Sequence, residues 1–272
     1  MARKKKKKIS RRRFYTNANR EAWDEAAPIH RQINHQRMLD GFADPEFSTL
    51  DPHMKELLLQ IGVQGKSAVQ ICCNNGRELL SLKRLGATTC VGFDMSEPFI
   101  GQARELARVA GHTDVEFTVT DVYDIPSYHA DTFDLAMVTV GVISWMPDLA
   151  GFFDVAAGLV RRGGHFIVND IHPVLMMFEE GDEGSYLAYS YFREEPWEET
   201  TGLDYYTGED YDSKPNYSFQ HTMSDILKAA IAVGFRLTHI EEHPQDVSGL
   251  CADLADTEAN PPLGVTFVWE KA

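Results

Sequence analysis

Apolar residues fall along most of this chain in two alternating rhythms. Short runs at Ala68, Val69 and Ile71, and at 88–93, 115–119 and 133–140, read as buried strands bounded by Gly or Asp. Between them apolar residues recur at spacings of three and four, predicting helices over 78–85, 97–108 and 150–160. A turn at Gly163-Gly164 then leads to a fifth strand at 165–169, and two more are predicted at 235–241 and 265–269. A helix over 223–233 precedes that last pair, with Thr222 at its start, Asp225 three residues on and Gly234 beyond its end. The rhythm differs in two places. Residues 18–42 are rich in helix formers, with Trp23, Ala26, Ile29, Ile33 and Met38 available for a buried face and Pro28 set to kink or divide them; a second helix is predicted over 51–61. Residues 175–216 instead interleave tyrosines from Tyr186 to Tyr211 with a dozen acids, and hold no basic cluster that would bind phosphate.

The stretch 68–78, Ala-Val-Gln-Ile-Cys-Cys-Asn-Asn-Gly-Arg-Glu, takes a buried strand through a loop into a helix. Such a turn presents free backbone N–H groups above the sheet. Eighteen residues after Gly76 the next strand ends in Asp94, where a carboxylate is placed to accept hydrogen bonds from both hydroxyls of a ribose. The unit therefore reads as a nucleoside-cofactor site. A dinucleotide site would need glycines where Cys72, Asn74 and Arg77 stand, so that fingerprint fails.

The turn resembles the first motif of the class I S-adenosylmethionine-dependent methyltransferases, which reads like Val-Leu-Asp-Leu-Gly-Cys-Gly-x-Gly. It matches in hydrophobicity, in Cys73 and in Gly76, and departs at Gln70, Cys72 and Asn74. Asn tolerates positive φ, so Asn74 can imitate a glycine in a tight turn, whereas Cys72 is not expected to. Asn19-Arg-Glu-Ala-Trp23 with Ile29-His30, and Trp145-Met-Pro-Asp148 followed by Gly-Gly and a strand ending Asn169-Asp-Ile-His172-Pro173, extend the resemblance over 19–271. It implies an α/β fold: a Rossmann-like, seven-stranded, mostly parallel sheet with helices on both faces and an antiparallel C-terminal strand. It also implies a helical cap over 14–62, a methyltransferase domain over 63–272 and a substrate lid over 175–216. S-adenosylmethionine is the implied cofactor. Its amino-acid end would lie against Gln70, Cys72, Asn74 and Gly76, its ribose against Asp94 and Met95, and its adenine against Asp121 and Val122, with Thr139 at the exit of the fourth strand completing the set.

Methyl transfer asks little covalent chemistry of a protein beyond holding the nucleophile in line, excluding water and, where needed, removing one proton. His172 is the candidate for that proton; its alternative role is to fix the strand-to-loop turn beside Pro173. Asp170, Trp145 and His30 are candidate substrate-facing groups. Trp145 is either a wall of the methyl pocket or a core anchor, and His30 either a cap residue over the pocket or an incidental histidine on an amphipathic helix. An aromatic lid suits a small-molecule acceptor, methylated on oxygen, nitrogen or carbon. The lid's acidity and the lack of an Asn-Pro-Pro-Tyr-type motif after the fourth strand argue against nucleic acid.

Composition adds bounds. A chain of 272 residues, 43% hydrophobic, suffices for one α/β domain with an insertion. Cys72, Cys73, Cys90 and Cys251 show no metal-ligand spacing and read as reduced thiols, so no metal is expected. The formal net charge of −15 hides an asymmetry: residues 1–13 hold nine basic groups and no acid, leaving −24 on the remainder. That tail is expected to be disordered, serving as a nuclear localisation signal, an arm for RNA or anionic lipid, or a solvated tail. No apolar run reaches the ~18 residues of a membrane helix, and the expectation is a cytoplasmic protein, nuclear if the tail is a signal. Two rival functions are an RNA or protein methyltransferase docked by the basic tail, and a non-catalytic methyltransferase-like binding protein. A homodimer is compatible with the lid.

Overall fold

The computed structural model describes the backbone of residues 2–272 and the side chains of residues 10–272. The chain forms two compact units, Met1–Ser127 with Trp197–Tyr217, and Tyr128–Pro196 with Ser218–Ala272. This divides the chain differently from the expected cap and single domain, because the insertion is split between the units.

In the first unit, helix α1 (Ala2–His30) leads into a π-helical turn (Arg31–His35), α2 (Gln36–Ala43) and α3 (Pro52–Ile61). Pro28 lies inside α1 without dividing it, and the irregularity begins three residues later, where the helix widens to the π turn. The expected disordered tail is corrected: α1 begins at Ala2, and Arg13 pairs with Asp124 at 3.4 Å while Arg12 lies 4.2 Å over the Tyr123 ring. Met1 lies outside the described residues. The α3 start follows its sequence, since Asp51 accepts the Met54 N–H at 2.9 Å, Pro52 opens the helix and Gly62 ends it at φ 79°.

Strand β1 (Ala68–Ile71) is buried at all four positions. It is followed by α4 (Arg77–Arg84), β2 (Cys90–Asp94), α5 (Glu97–Val109) and β3 (Glu116–Val119). The three strands pair in parallel, Ile71 opposite Phe93 and Asp94 opposite Val119, which brings their carboxyl ends to one edge. Ser96 stands at the start of α5, but its hydroxyl makes no cap and its backbone N–H bonds Asp94 instead.

The second unit contains β4 (Phe133–Thr139), α6 (Leu149–Leu159), β5 (Val160–Ile171), the short pair β6 (Phe178–Glu179) and β7 (Tyr186–Leu187), then α7 (Met223–Ala232), β10 (Phe235–His243) and β11 (Gly264–Lys271). Strands β4 and β5 are parallel, and β11 runs antiparallel to both β5 and β10. The expected turn at Gly163-Gly164 lies within β5: pairing slips between Phe133↔Val160 and Leu135↔His165, and Gly163 at φ 72° takes up the irregularity. The α7 capping box forms as read, with Thr222 and Asp225 bonding each other's backbone. The seven long strands make one sheet in the order β10-β11-β5-β4-β1-β2-β3, a Rossmann-like arrangement with an antiparallel C-terminal strand.

The part of the insertion that belongs to the first unit is anchored by β8 (Trp197–Glu199) and β9 (Asn216–Ser218), which pair with each other. Asn19 on α1 is 1% exposed and clamps β9 from both sides, donating to the Tyr217 carbonyl at 2.9 Å and accepting its N–H at 2.6 Å. Asn19→Ala leaves both buried backbone groups unpaired. It should cost about 2–4 kcal/mol, read as a lower midpoint in denaturant unfolding, with new protease cleavage confined to 197–217.

Candidate functional site

In the first unit the tips of the three parallel strands stand in a row. The Cys73 N–H bonds the Phe93 carbonyl at 2.9 Å and the Thr120 N–H bonds the Asp94 carbonyl at 2.8 Å, so the bonding continues two residues past β1 and one past β3. Asp94 lies in the middle of this edge. Its Oδ2 accepts the Asn74 N–H at 2.7 Å and its Oδ1 the Ser96 N–H at 2.9 Å. The Met95 backbone also acts on the carboxylate, and of its roughly four acceptor sites at least one stays open to a hydroxyl. Burial first, and the nearby Asp24 carboxylate, push the Asp94 pKa up to about 6, against the opposing pull of the Ser96 and Asn74 N–H groups and the Met95 backbone. Beyond β3, Asp121 accepts the Tyr123 N–H at 3.0 Å and starts a single 3₁₀ turn whose first residue, Val122, is buried.

The loop between β1 and α4 does not use its residues as the glycine-rich motif would. Cys72 takes φ 55° and Asn74 φ 49°, so Cys72 adopts the left-handed conformation that was expected of Asn74 alone. Gly76, at φ 71°, is closed from below: a Cβ there would meet the Phe117 ring at 2.4 Å and Ala103 at 3.1 Å. Its lack of a side chain therefore serves the turn and its packing. Gln70 is buried inside β1, opposite Gly92.

The cap and the returning segment meet over this loop. Tyr206 accepts at its hydroxyl from Asn34 at 2.9 Å and from Arg77, the first residue of α4, at 3.2 Å. Arg77 also pairs with Glu78 at 2.6 Å, the main reason its guanidinium holds its proton so firmly. His30 is 3% exposed; its Nε2 lies 2.7 Å from the Leu203 carbonyl, and its ring packs edge-on against Tyr205 at 4.5 Å, Tyr206 at 5.0 Å and Phe99 at 5.5 Å. Beside this cluster Asp24 pairs with Arg20 through Oδ2, while its Oδ1 is buried without a hydrogen-bond partner. A hollow of about 500 Å³ opens there, lined by Arg20, Glu21, Asp24, Glu25 and Lys214. Sequence reading took His30 and the tyrosines as candidates for the site but not Arg77, Asn34 or Asp24. Contacts between residues 129 or 172 positions apart leave no periodic signal.

In the second unit the candidates from the fourth and fifth strands hold the chain in place. Asp170 is 1% exposed and accepts three backbone N–H groups, from Gly141, from Ile143 at 2.9 Å and from Ile171 at 2.8 Å. It fixes the loop after β4, a correction to its expected substrate-facing role, and burial pushes its pKa up to about 6. His172 is 4% exposed. Its Nδ1 accepts the Val174 N–H at 3.1 Å, and Nε2 lies 3.0 Å from a Glu242 carboxylate oxygen. Neither ring nitrogen offers a free lone pair, so the arrangement is the turn-fixing one and not that of a waiting base. Thr139 ends β4 opposite Asn169, and Trp145 closes the 3₁₀ turn Ile143–Trp145, with its Nε1 3.9 Å from where a Cβ on Gly141 would sit.

Compared with known proteins, residues 69–168, which hold the strand tips, the loop and the β4 exit, match the family described as "Methyltransferase domain". Residues 69–168 thus resemble a methyltransferase domain. A ubiquinone biosynthesis O-methyltransferase of Neisseria meningitidis is 26% identical over 110 residues, 40% of this chain and 46% of that protein, so the chain spans less than half the length of this curated relative. An S-adenosylmethionine-dependent methyltransferase of Mesorhizobium loti shares the fold at a TM-score of 0.60 and 22% identity, over 86% of this chain and 100% of that one. The geranyl diphosphate C-methyltransferase of Streptomyces coelicolor A3(2), solved with S-adenosylhomocysteine, shares it at 0.58 and 13% identity, over 88% and 84% of the two chains. No helix among the described residues is long and apolar enough to cross a membrane, and the methyltransferase domain contains none.

The variant loop generates a test. A left-handed cysteine costs about 1–2 kcal/mol that a glycine avoids, against the extra unfolded-state freedom glycine brings. Cys72→Gly should therefore stabilise the domain by about 0.5–1 kcal/mol and raise the Tm by about 2 °C in calorimetry.

Proposed function

We propose that this protein transfers the methyl group of S-adenosylmethionine to a small-molecule acceptor. The observation that carries the reading is Asp94: a half-buried carboxylate at the tip of β2, tied to the Asn74 and Ser96 N–H groups and acted on by the Met95 backbone, with acceptor capacity left beyond them. That residual capacity fits a ribose hydroxyl. Asn74 and the loop backbone hold the amino-acid end, and Asp121 with the Val122 backbone holds the adenine. The bound cofactor supplies an activated sulfonium methyl. The protein then has to align an acceptor with it and keep water out. Arg77 and Asn34 hold Tyr206 over the loop, and Tyr205, His30 and Phe99 supply the aromatic surface beside it. Lack of a basic cluster in the aromatic segment supports a small acceptor over a nucleic acid.

Titration calorimetry with S-adenosylmethionine and S-adenosylhomocysteine tests this directly. Micromolar binding is expected, and Asp94→Ala should abolish it; absence of binding by the intact protein would sink the reading. The pH dependence follows from a carboxyl titrating near 6. The ionised form accepts hydroxyl hydrogen bonds better, so affinity should fall about tenfold between pH 7 and pH 5, and Asp94→Asn should bind weakly with no such slope. For folding the sign reverses. The native carboxyl keeps its proton up to about 6, while the unfolded one releases it near 3.8, so this group's contribution to stability declines as pH rises between those values.

A further inference from the structure

We propose that His30 is the general base of the reaction and that the acceptor is a phenol, its hydroxyl donating to Nδ1 of His30. The assignment rests on the methyltransferase reading above. A carbonyl oxygen only accepts hydrogen bonds, so the 2.7 Å contact with Leu203 fixes the proton of the neutral ring on Nε2 and leaves the lone pair on Nδ1. Nδ1 is buried and has no hydrogen-bond partner. An unpaired acceptor in a site 3% exposed is costly unless something comes to meet it.

The surroundings say what comes. Trp23 lies 6.1 Å from the His30 ring, and Phe99, Tyr205 and Tyr206 lie closer, so three elements line the imidazole with aromatic faces suited to a planar ring. The charged and titratable groups facing it are Asp204, Tyr205 and Tyr206 from the returning segment and Arg77 from α4. Burial outweighs the Leu203 bond and Asp204 and holds the ring's pKa below its ordinary value, so the base is free at neutral pH. So weak a base matches a phenol near pKa ~10, far more acidic than an alkyl hydroxyl.

His30 also stands at the useful height. Phe99 is in the first turn of α5, directly after the Asp94 tip. His35, whose Nδ1 is also buried without a partner, bonds Glu105 two turns further from that edge. In the step, the phenol oxygen forms a bond to the methyl carbon while the methyl–sulfur bond breaks, its electron pair staying on sulfur. The hydroxyl proton passes to Nδ1. An aryl methyl ether, S-adenosylhomocysteine and an imidazolium result, and the imidazolium returns its proton to solvent.

Long-range ¹H–¹⁵N spectra of the labelled full-length protein, saturated with S-adenosylhomocysteine, test the state of the ring without turnover. Between pH 6 and 8 His30 should be the Nε2–H tautomer, and phenol, but not anisole, should move its Nδ1 resonance. His30→Gln, which keeps a donor for the Leu203 carbonyl, should bind S-adenosylhomocysteine within about twofold of the wild type. It should methylate phenol about 100-fold more slowly and with a flattened pH–rate profile. A protonated Nδ1, an Nδ1 resonance unmoved by phenol, or a His30→Gln rate within threefold of the wild type would overturn the role of His30 while cofactor binding stands. Failure of the wild-type protein to bind S-adenosylhomocysteine would instead overturn the methyltransferase reading and this proposal with it.

Discussion

A half-buried carboxylate that takes one hydrogen bond from the turn before it and one from the helix after it ties the cofactor half of this protein together. Asp94 links the loop after β1, the tip of β2 and the start of α5 through the Asn74 and Ser96 N–H groups. Burying a carboxylate is expensive, and two backbone donors offset only part of that, which is why the group keeps its proton to about pH 6. The second unit uses the same device, with Asp170 collecting three backbone N–H groups to hold the loop after β4. One carboxylate retains unused acceptor capacity at an edge where ligands bind in such sheets, and the other is enclosed by its own loop. That difference separates a binding group from a structural one.

The sheet was legible because burial on both faces writes strands as continuous apolar runs, and β1, β2, β3 and β4 fall within a residue or two of their apolar limits. Local signals worked too: Asp51 and Thr222 cap the helices they precede. Failures came where tertiary contacts overrode a local rule. Two glycines read as a turn became a bulge inside β5, because β5 keeps its pairing with β4 through them.

Site chemistry was less legible than site position. The three strand tips could be read from spacing, since a parallel ladder fixes their register. What each side chain does with its lone pairs could not, because donors to Asp170, His172 and Tyr206 are set by folding. His30 and His172 are one residue type at nearly equal burial, yet Nδ1 of His172 accepts a backbone N–H while Nδ1 of His30 is left without a partner. Their difference lies in the neighbours, a backbone N–H in one case and a carbonyl in the other.

The segment over the first-unit loop is hung from the cap by polar contacts: Asn19 to Tyr217, His30 to Leu203, Asn34 to Tyr206 and Glu25 to Lys214. Hydrogen bonds break one at a time, whereas an apolar core yields only as a unit. Such a cover can be released by peeling it from one end, with the sheet below undisturbed. Under the proposed function, the bonds that would keep water from the methyl group are also those that would have to give way before product leaves, so a change that sealed the site better would slow its emptying.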